Sequence, residues 1–174
     1  VLSLAIDLSN PNTVYAATDN GLYRSNNLGG RWEIIFRGKN SIENQCTSVI
    51  GTSSAIFLGT KAGLFISRDN GRSWSKDDGE IDSNIILNID FVSQKDTIIY
   101  LAAANGIFKS LDSGKNWERI FLSYSREKDE TGSLDEDLDI SREPSDIRFV
   151  RAGVNNINLV YFSCAKGVYK SLDQ

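Results

Sequence analysis

Short runs of β-branched and aromatic residues alternate along this chain with clusters of Gly, Asn, Asp and Ser, and no stretch sustains the 3.6-residue period of an amphipathic helix. In the middle of the chain the pattern predicts four strands: Ile85 to Val92, Thr97 to Ala102, Gly106 to Ser110 and Asn116 to Phe121. The turns between them carry Asp96, Asn105-Gly106 and Asp112-Ser113-Gly114, residues that supply positive φ or side-chain bonds to the backbone.

This pattern repeats. The motif Ser-x-Asp-x-Gly-x-x-Trp spans Ser25 to Trp32, with Asn27 in the Asp position, then Ser67 to Trp74 and Ser110 to Trp117. A fourth copy opens at Ser171-Leu172-Asp173, one residue before Gln174. The serines are 42, 43 and 61 residues apart. Tyr15, Phe57, Tyr100 and Tyr161 each lie ten residues before their serine, Gly21, Gly63, Gly106 and Gly167 four before, and Tyr23, Phe65, Phe108 and Tyr169 two before. Four strands in a period of about 42 residues is the mark of a propeller blade. The expected fold is an all-β propeller of four-stranded antiparallel blades, about four of them, at residues 1–36, 42–77, 84–122 and 145–174. The last blade lacks its outer strand, and residues 123–145 form an acidic insertion. A start without Met and a stop inside a repeat suggest a fragment of a six- to eight-bladed propeller.

The motif suits a tight turn between the third and fourth strands. Its Asp accepts backbone N–H bonds, its Gly takes positive φ, and its Trp returns over the turn, burial of that ring contributing at most about 4–6 kcal/mol. Asn27 keeps the acceptor and loses the charge, which a turn tolerates and a catalytic carboxylate does not. The set Ser25, Asn27, Gly29, Trp32, Ser67, Asp69, Gly71, Trp74, Ser110, Asp112, Gly114, Trp117, Ser171 and Asp173 is therefore read as structural. The repeated aromatics are read as packing between sheets.

With their lead-ins, Val14 to Ser25 and Ile56 to Ser67, these motifs resemble the Asp-box, or BNR, repeat of sialidase-like β-propellers. Proteins with similar repeats include the photosystem II assembly/stability factor, xyloglucanase-type glycoside hydrolases, sortilin-type receptors and many extracytoplasmic bacterial proteins. The resemblance covers the chain outside the insertion and implies an extracytoplasmic location. It also implies that the Asp-box turns lie opposite the usual ligand face, so the connections from outer to inner strand, the insertion included, open on the functional side.

Charge sharpens this picture. The net charge is −4, yet residues 123–146 hold nine acids against three bases. No basic tract suggests nucleic acid, and no apolar run nears the roughly 18 residues of a membrane span. With no histidine, Ser-His-Asp and Cys-His nucleophile systems are excluded within these residues. Cys46 and Cys164 form neither a disulfide framework nor a CxxC metal spacing. The catalytic candidates are carboxylates of the second outer-to-inner connection, Asp77, Asp78, Glu80 and Asp82, of which Asp78 and Asp82 would be the pair. Asp135, Asp137 and Asp139 offer hard oxygen ligands for calcium but lack the Gly and distal Glu of an EF-hand loop. Asp7, Asp90 and Arg148 fall in inner strands facing the central channel. No cofactor is expected.

The reading these features favour is a non-catalytic binding or scaffold module for a protein or carbohydrate ligand on the connection face, the insertion suiting a basic surface. A fragment of a xyloglucanase- or sialidase-like hydrolase and an assembly factor similar to the photosystem II stability factor are the alternatives. Unpaired edges at both ends call for further blades, from the same chain or a second chain.

Overall fold

Each apolar run pairs antiparallel with its immediate sequence neighbour, so the chain builds a series of meanders. The computed structural model describes residues 1–7, 9–79, 81–82, 84–92, 95–122, 147–153, 159–164 and 167–172. Blade 1 contains β1 (Ser3–Ile6), β2 (Val14–Thr18), β3 (Gly21–Ser25) and β4 (Glu33–Phe36) in that order. Blade 2 contains β5 (Cys46–Gly51), β6 (Ile56–Thr60), β7 (Gly63–Ser67) and β8 (Ser75–Lys76). Blade 3 follows with β9 (Ile86–Val92), β10 (Lys95–Ala103), β11 (Gly106–Ser110) and β12 (Glu118–Leu122), within two residues of the predicted bounds at every strand end. Blade 4 shows three strands among the described residues, β13 (Phe149–Ala152), β14 (Leu159–Cys164) and β15 (Gly167–Leu172). The inner strands β1, β5, β9 and β13 neighbour one another in sequence order. The chain is thus an all-β fold of successive propeller blades, with no helix among the described residues.

Register explains which repeated residue points where. The lead aromatics occupy one rung in every blade: Tyr15 lies between Ala5 and Arg24, Phe57 between Ile50 and Ile66, Tyr100 between Asp90 and Lys109, and Tyr161 between Arg151 and Lys170. Side chains alternate across a strand, so this rung projects toward the following blade while the aromatics two before the serine project backwards. Tyr15, Phe57 and Tyr100 are buried in three separate clusters, one at each junction between successive blades. In the first junction Phe65 of blade 2 meets Phe36 of blade 1 with centroids 4.8 Å apart. A register shift recurs in blades 1 and 3 just before Tyr23 and Phe108, a bulge that adds twist to the outer strand pair.

Tyr161 occupies the same rung of blade 4 and is 39% exposed, on a forward face that no described blade covers. The same face leaves Phe149 and Val168 exposed, and the backward face of blade 1 leaves Leu4 and Ile6 at 65% and 58%.

The motif tryptophans also work between blades. Trp74 packs edge-on against Phe36 and donates its indole N–H to the Ile35 carbonyl of blade 1 at 2.8 Å. Trp117 sits in the equivalent place, but its Nε1 is buried without a hydrogen-bond partner. The outer strand it faces, β8, ends at Lys76, one residue short of the position equivalent to Ile35. Trp74→Phe is therefore expected to lower unfolding free energy by about 1 kcal/mol for the lost bond, beyond any change in ring packing. Trp117→Phe removes an orphan donor and should cost less. Equal losses in urea unfolding of the two variants would contradict this.

Candidate functional site

The antiparallel meander sends all first-to-second and third-to-fourth strand turns to one end of the blades, and all second-to-third turns and interblade connections to the other. The motif occupies the first end. In each complete blade the buried serine hydroxyl is the hub. Ser25, Ser67 and Ser110 donate to the side-chain oxygen of Asn27, Asp69 and Asp112 at 2.9 Å and accept the N–H of Gly29, Gly71 and Gly114 at 2.9, 2.7 and 2.8 Å. The same Asn or Asp oxygen then accepts the N–H of the residue before the Trp, from Arg31, Ser73 and Asn116, at 2.8–2.9 Å.

The backbone needed for this is unusual in a way the sequence did not announce. Leu28, Asn70 and Ser113 all take φ near 60°, directly ahead of glycines at 91°, 83° and 72°. Of each pair, the glycine turns its N–H to the serine hydroxyl, while the Leu28 and Ser113 N–H groups donate to the Asn12 and Thr97 carbonyls at 3.0 Å. The glycine has a second reason: a Cβ at Gly114 would collide with the Phe57 ring of the preceding blade, and one at Gly71 would press on Ile35.

The carboxylates are held firmly ionised. The Ser73 hydroxyl, at 2.6 Å, and then the Ser73 N–H draw the pKa of Asp69 down to about 2. Burial works against ionisation at Asp112, but the Asn116 N–H and side-chain amide outweigh it and bring its pKa down to about 2 as well. A group held so low is no proton donor near neutral pH.

Neighbouring turns are tied together by arginines. Arg24 donates to the carbonyl and side-chain oxygens of Asn70 in the next blade at 2.8 and 3.0 Å. Arg68 reaches the carbonyl of Ser113 at 3.0 Å. In both cases the acceptor is the carbonyl of the left-handed residue, so the turn geometry of one blade presents the docking point for the blade before it. Shallow depressions of about 390 and 260 Å³ lie beside the first and second motif turns, at repeat-equivalent places.

On the opposite end the connection 37–45 is rigid. Asn40 caps its own turn through bonds from Ile42 and Glu43, while the Asn44 and Gln45 carbonyls accept Gly21 and Lys61 from the turns of blades 1 and 2. In the second connection Asp82 is paired with Lys76 at 2.6 Å, and Asp78 is exposed. Burial raises the pKa of Asp77, opposed by the Gly79 N–H and reinforced by Asp78 and Asp82. Glu80, Asp135, Asp137, Asp139 and Asp173 lie outside the described residues. Among the described residues no three acidic or cysteine side chains converge as metal ligands. Burial pushes the Cys46 thiol up to about 12, which keeps it protonated.

The inner-strand candidates occupy three different blades. Asp7 lies one residue beyond blade 1's inner strand and accepts the Tyr15 hydroxyl at 3.0 Å. Asp90 is buried, which raises its pKa, and it accepts the Ala152 N–H of β13 at 2.8 Å and Arg151 at 3.4 Å. The Arg148 backbone N–H bonds to Ser163 beside β13. Sequence reading missed the companions of Asp90: Ser48 accepts the Ile89 N–H at 3.0 Å, and Asn88 accepts that of Val150 at 3.1 Å. Ile89 and Val150 are equivalent rungs, so a polar side chain on one inner strand holds the backbone of the next.

Fold and turns together define a β-propeller module. No protein-family model and no curated protein matches the chain in sequence. Among solved structures it is similar to an ancestral GH74 enzyme, at 27% identity and a TM-score of 0.76, over 99% of this chain and 23% of that one. It is similar in fold to the GH74 xyloglucanase from Xanthomonas campestris, at 16% identity and a TM-score of 0.65, over 98% of this chain and 28% of the enzyme. YCF48 bound to D1 peptide shares the fold at 15% identity and a TM-score of 0.53, over 95% of this chain and 63% of that one. The chain thus spans about a quarter of the length of the two GH74 proteins.

The turn network makes a paired prediction. Ser67→Ala leaves the Gly71 N–H and Asp69 without their hub and should cost about 1–3 kcal/mol. Asp69→Asn should fold with modest loss at neutral pH, because Asn27 already makes the serine-hydroxyl and backbone bonds while the Ser73 hydroxyl loses its charged acceptor. Folded-state pKa values near 2 lie below the unfolded value of about 3.9, so the stabilisation is present above about pH 4 and is lost as pH falls through 2. Asp69→Asn should therefore flatten the acid limb of the unfolding curve. An unchanged acid limb would sink the assignment.

Proposed function

We propose that this chain is a non-catalytic binding module in which the Ser-x-Asp turns are structural Asp boxes and the ligand, a protein or a glycan, meets the opposite face. The carrying observation is the first turn: Asn27 accepts the serine hydroxyl and the backbone N–H that Asp69 accepts in the second, so the repeated side chain serves as an acceptor for the turn and not as a reagent. Asp82 is likewise tied to Lys76. A propeller of this fold bound to a peptide, YCF48 with D1 peptide, supports a peptide partner. The acidic segment 123–145, outside the described residues, supplies the charge that would attract a basic surface. An extracytoplasmic location accompanies this reading.

The likeness to an ancestral GH74 enzyme favours a second reading, a xyloglucan hydrolase module whose catalytic carboxylates are Asp78 and Asp82. The two part in one experiment on the 174-residue chain. Binding of a lysine-rich peptide, followed by calorimetry, is expected and is expected to vanish on deletion of residues 125–142 with thermal stability retained. Xyloglucan hydrolysis that is lost in Asp78→Asn/Asp82→Asn would overturn the binding-module reading.

A further inference from the structure

Three Asn-Gly pairs occur in the chain, Asn20-Gly21, Asn70-Gly71 and Asn105-Gly106. This pair is open to deamidation because the glycine brings no Cβ to hinder its nitrogen as that nitrogen closes on the asparagine side chain. In two of the pairs the fold engages the groups that would react in ways unrelated to the motif: Gly21 gives its N–H to the Asn44 carbonyl at 2.9 Å, and the Asn105 side-chain oxygen is buried. Asn70 is different, because it lies inside a motif turn and both of its reacting groups are engaged by named neighbours. Its nucleophile, the Gly71 nitrogen, donates to the Ser67 hydroxyl at 2.7 Å. Its electrophile, the exposed side-chain amide, receives Arg24 of blade 1 on Oδ1 at 3.0 Å. A guanidinium on that oxygen favours attack at Cγ, since it stabilises the charge that develops there. The bond to Ser67 opposes attack by holding the nitrogen away. Nothing in the turn asks for an amide: Leu28 and Ser113 hold the same place at φ 57° and 61°, beside 60° at Asn70, and their serines make the same bonds.

We propose that Asn70 is a latent deamidation site, activated by Arg24 and kept closed in the folded blade by the Ser67 hydroxyl. When the turn opens, the Gly71 nitrogen passes its proton to base and bonds to Asn70 Cγ. The bond from Cγ to Nδ2 breaks, ammonia leaves, and water opens the resulting succinimide to aspartate or isoaspartate. Both products are felt at the junction of blades 1 and 2. Aspartate turns the contact with Arg24 into an ion pair across the junction. Isoaspartate adds a methylene to the main chain and displaces the Asn70 carbonyl, which Arg24 also holds at 2.8 Å.

Peptide mapping by mass spectrometry, after ageing at mildly alkaline pH, measures conversion at each Asn-Gly pair in the folded 174-residue chain and in urea. Asn70 is expected to convert in urea and to be slower by about tenfold or more when folded, because attack waits on local opening of the turn. Ser67→Ala is expected to raise the folded rate at Asn70 about fivefold, the factor one lost hydrogen bond represents, and to leave Asn20 and Asn105 unchanged. Ser113→Asn tests the same latch with every hub serine in place. It sets an amide before Gly114, whose N–H the Ser110 hydroxyl accepts at 2.8 Å, and is expected to convert as slowly as Asn70 in the folded chain. Conversion of Asn70 in the folded chain at its rate in urea overturns the proposal. So does a folded Ser67→Ala chain with an unchanged rate at Asn70 or an equal gain at all three pairs, and so does conversion at position 113 as fast as in urea.

Discussion

A blade with two apolar faces cannot bury either of them alone, and every other feature of this molecule answers to that constraint. Phe57 is fully buried, although its own sheet covers only one side of it; blade 3 covers the other. Burying such a ring stabilises the fold by about 1.5–3 kcal/mol, whereas each polar link across a junction contributes about 1 kcal/mol. Burial therefore decides that blades stack, and the polar links decide their register. Ser48 and Asn88 set the height of one inner strand against the next, while Arg24 and Arg68 do the same at the motif end.

The motif turn is built to serve that stacking. Its serine, carboxylate and paired left-handed residues form a closed local network, which leaves the carbonyl of the first left-handed residue free to face the preceding blade. The glycine then removes the Cβ that would keep the preceding blade's Phe57 or Ile35 away. One eight-residue element thus fixes its own conformation, receives a cation from one neighbour and, through Trp74, donates to the same neighbour's outer strand.

Much of the architecture was legible because the repeat exposes it. Glycine and aromatic positions in constant spacing located the strands of blade 3 to within two residues, and the Asn27 substitution marked the carboxylate as an acceptor. The links between blades were not legible. Arg24 precedes its serine and Arg68 follows its own, so the two cations do the same work from different positions in the repeat, and their acceptors lie about 45 residues away. Leu28 carried no sign of positive φ, since a leucine is a poor left-handed residue and takes that shape only because the Ser25 network over-determines it. For Tyr161 the repeat predicts what the side chain points at, and its burial depends on the blade that faces it.

Where specificity resides follows from which groups the scaffold has already committed. The inner strands offer few polar side chains, and Thr47, Ser48, Asn88 and Asp90 are engaged with the backbone of the adjoining inner strand. The motif end is engaged in the same way. The interblade connections are what differ from blade to blade. Residues 37–45 form a self-capped loop locked to the turns of blades 1 and 2, the second connection carries the Lys76–Asp82 pair beside a half-buried Asp77, and the third is longer and strongly acidic in sequence. On the proposed binding reading, connections of unequal length and charge are where ligands are told apart, because the groups of the repeat are already committed to holding the blades together.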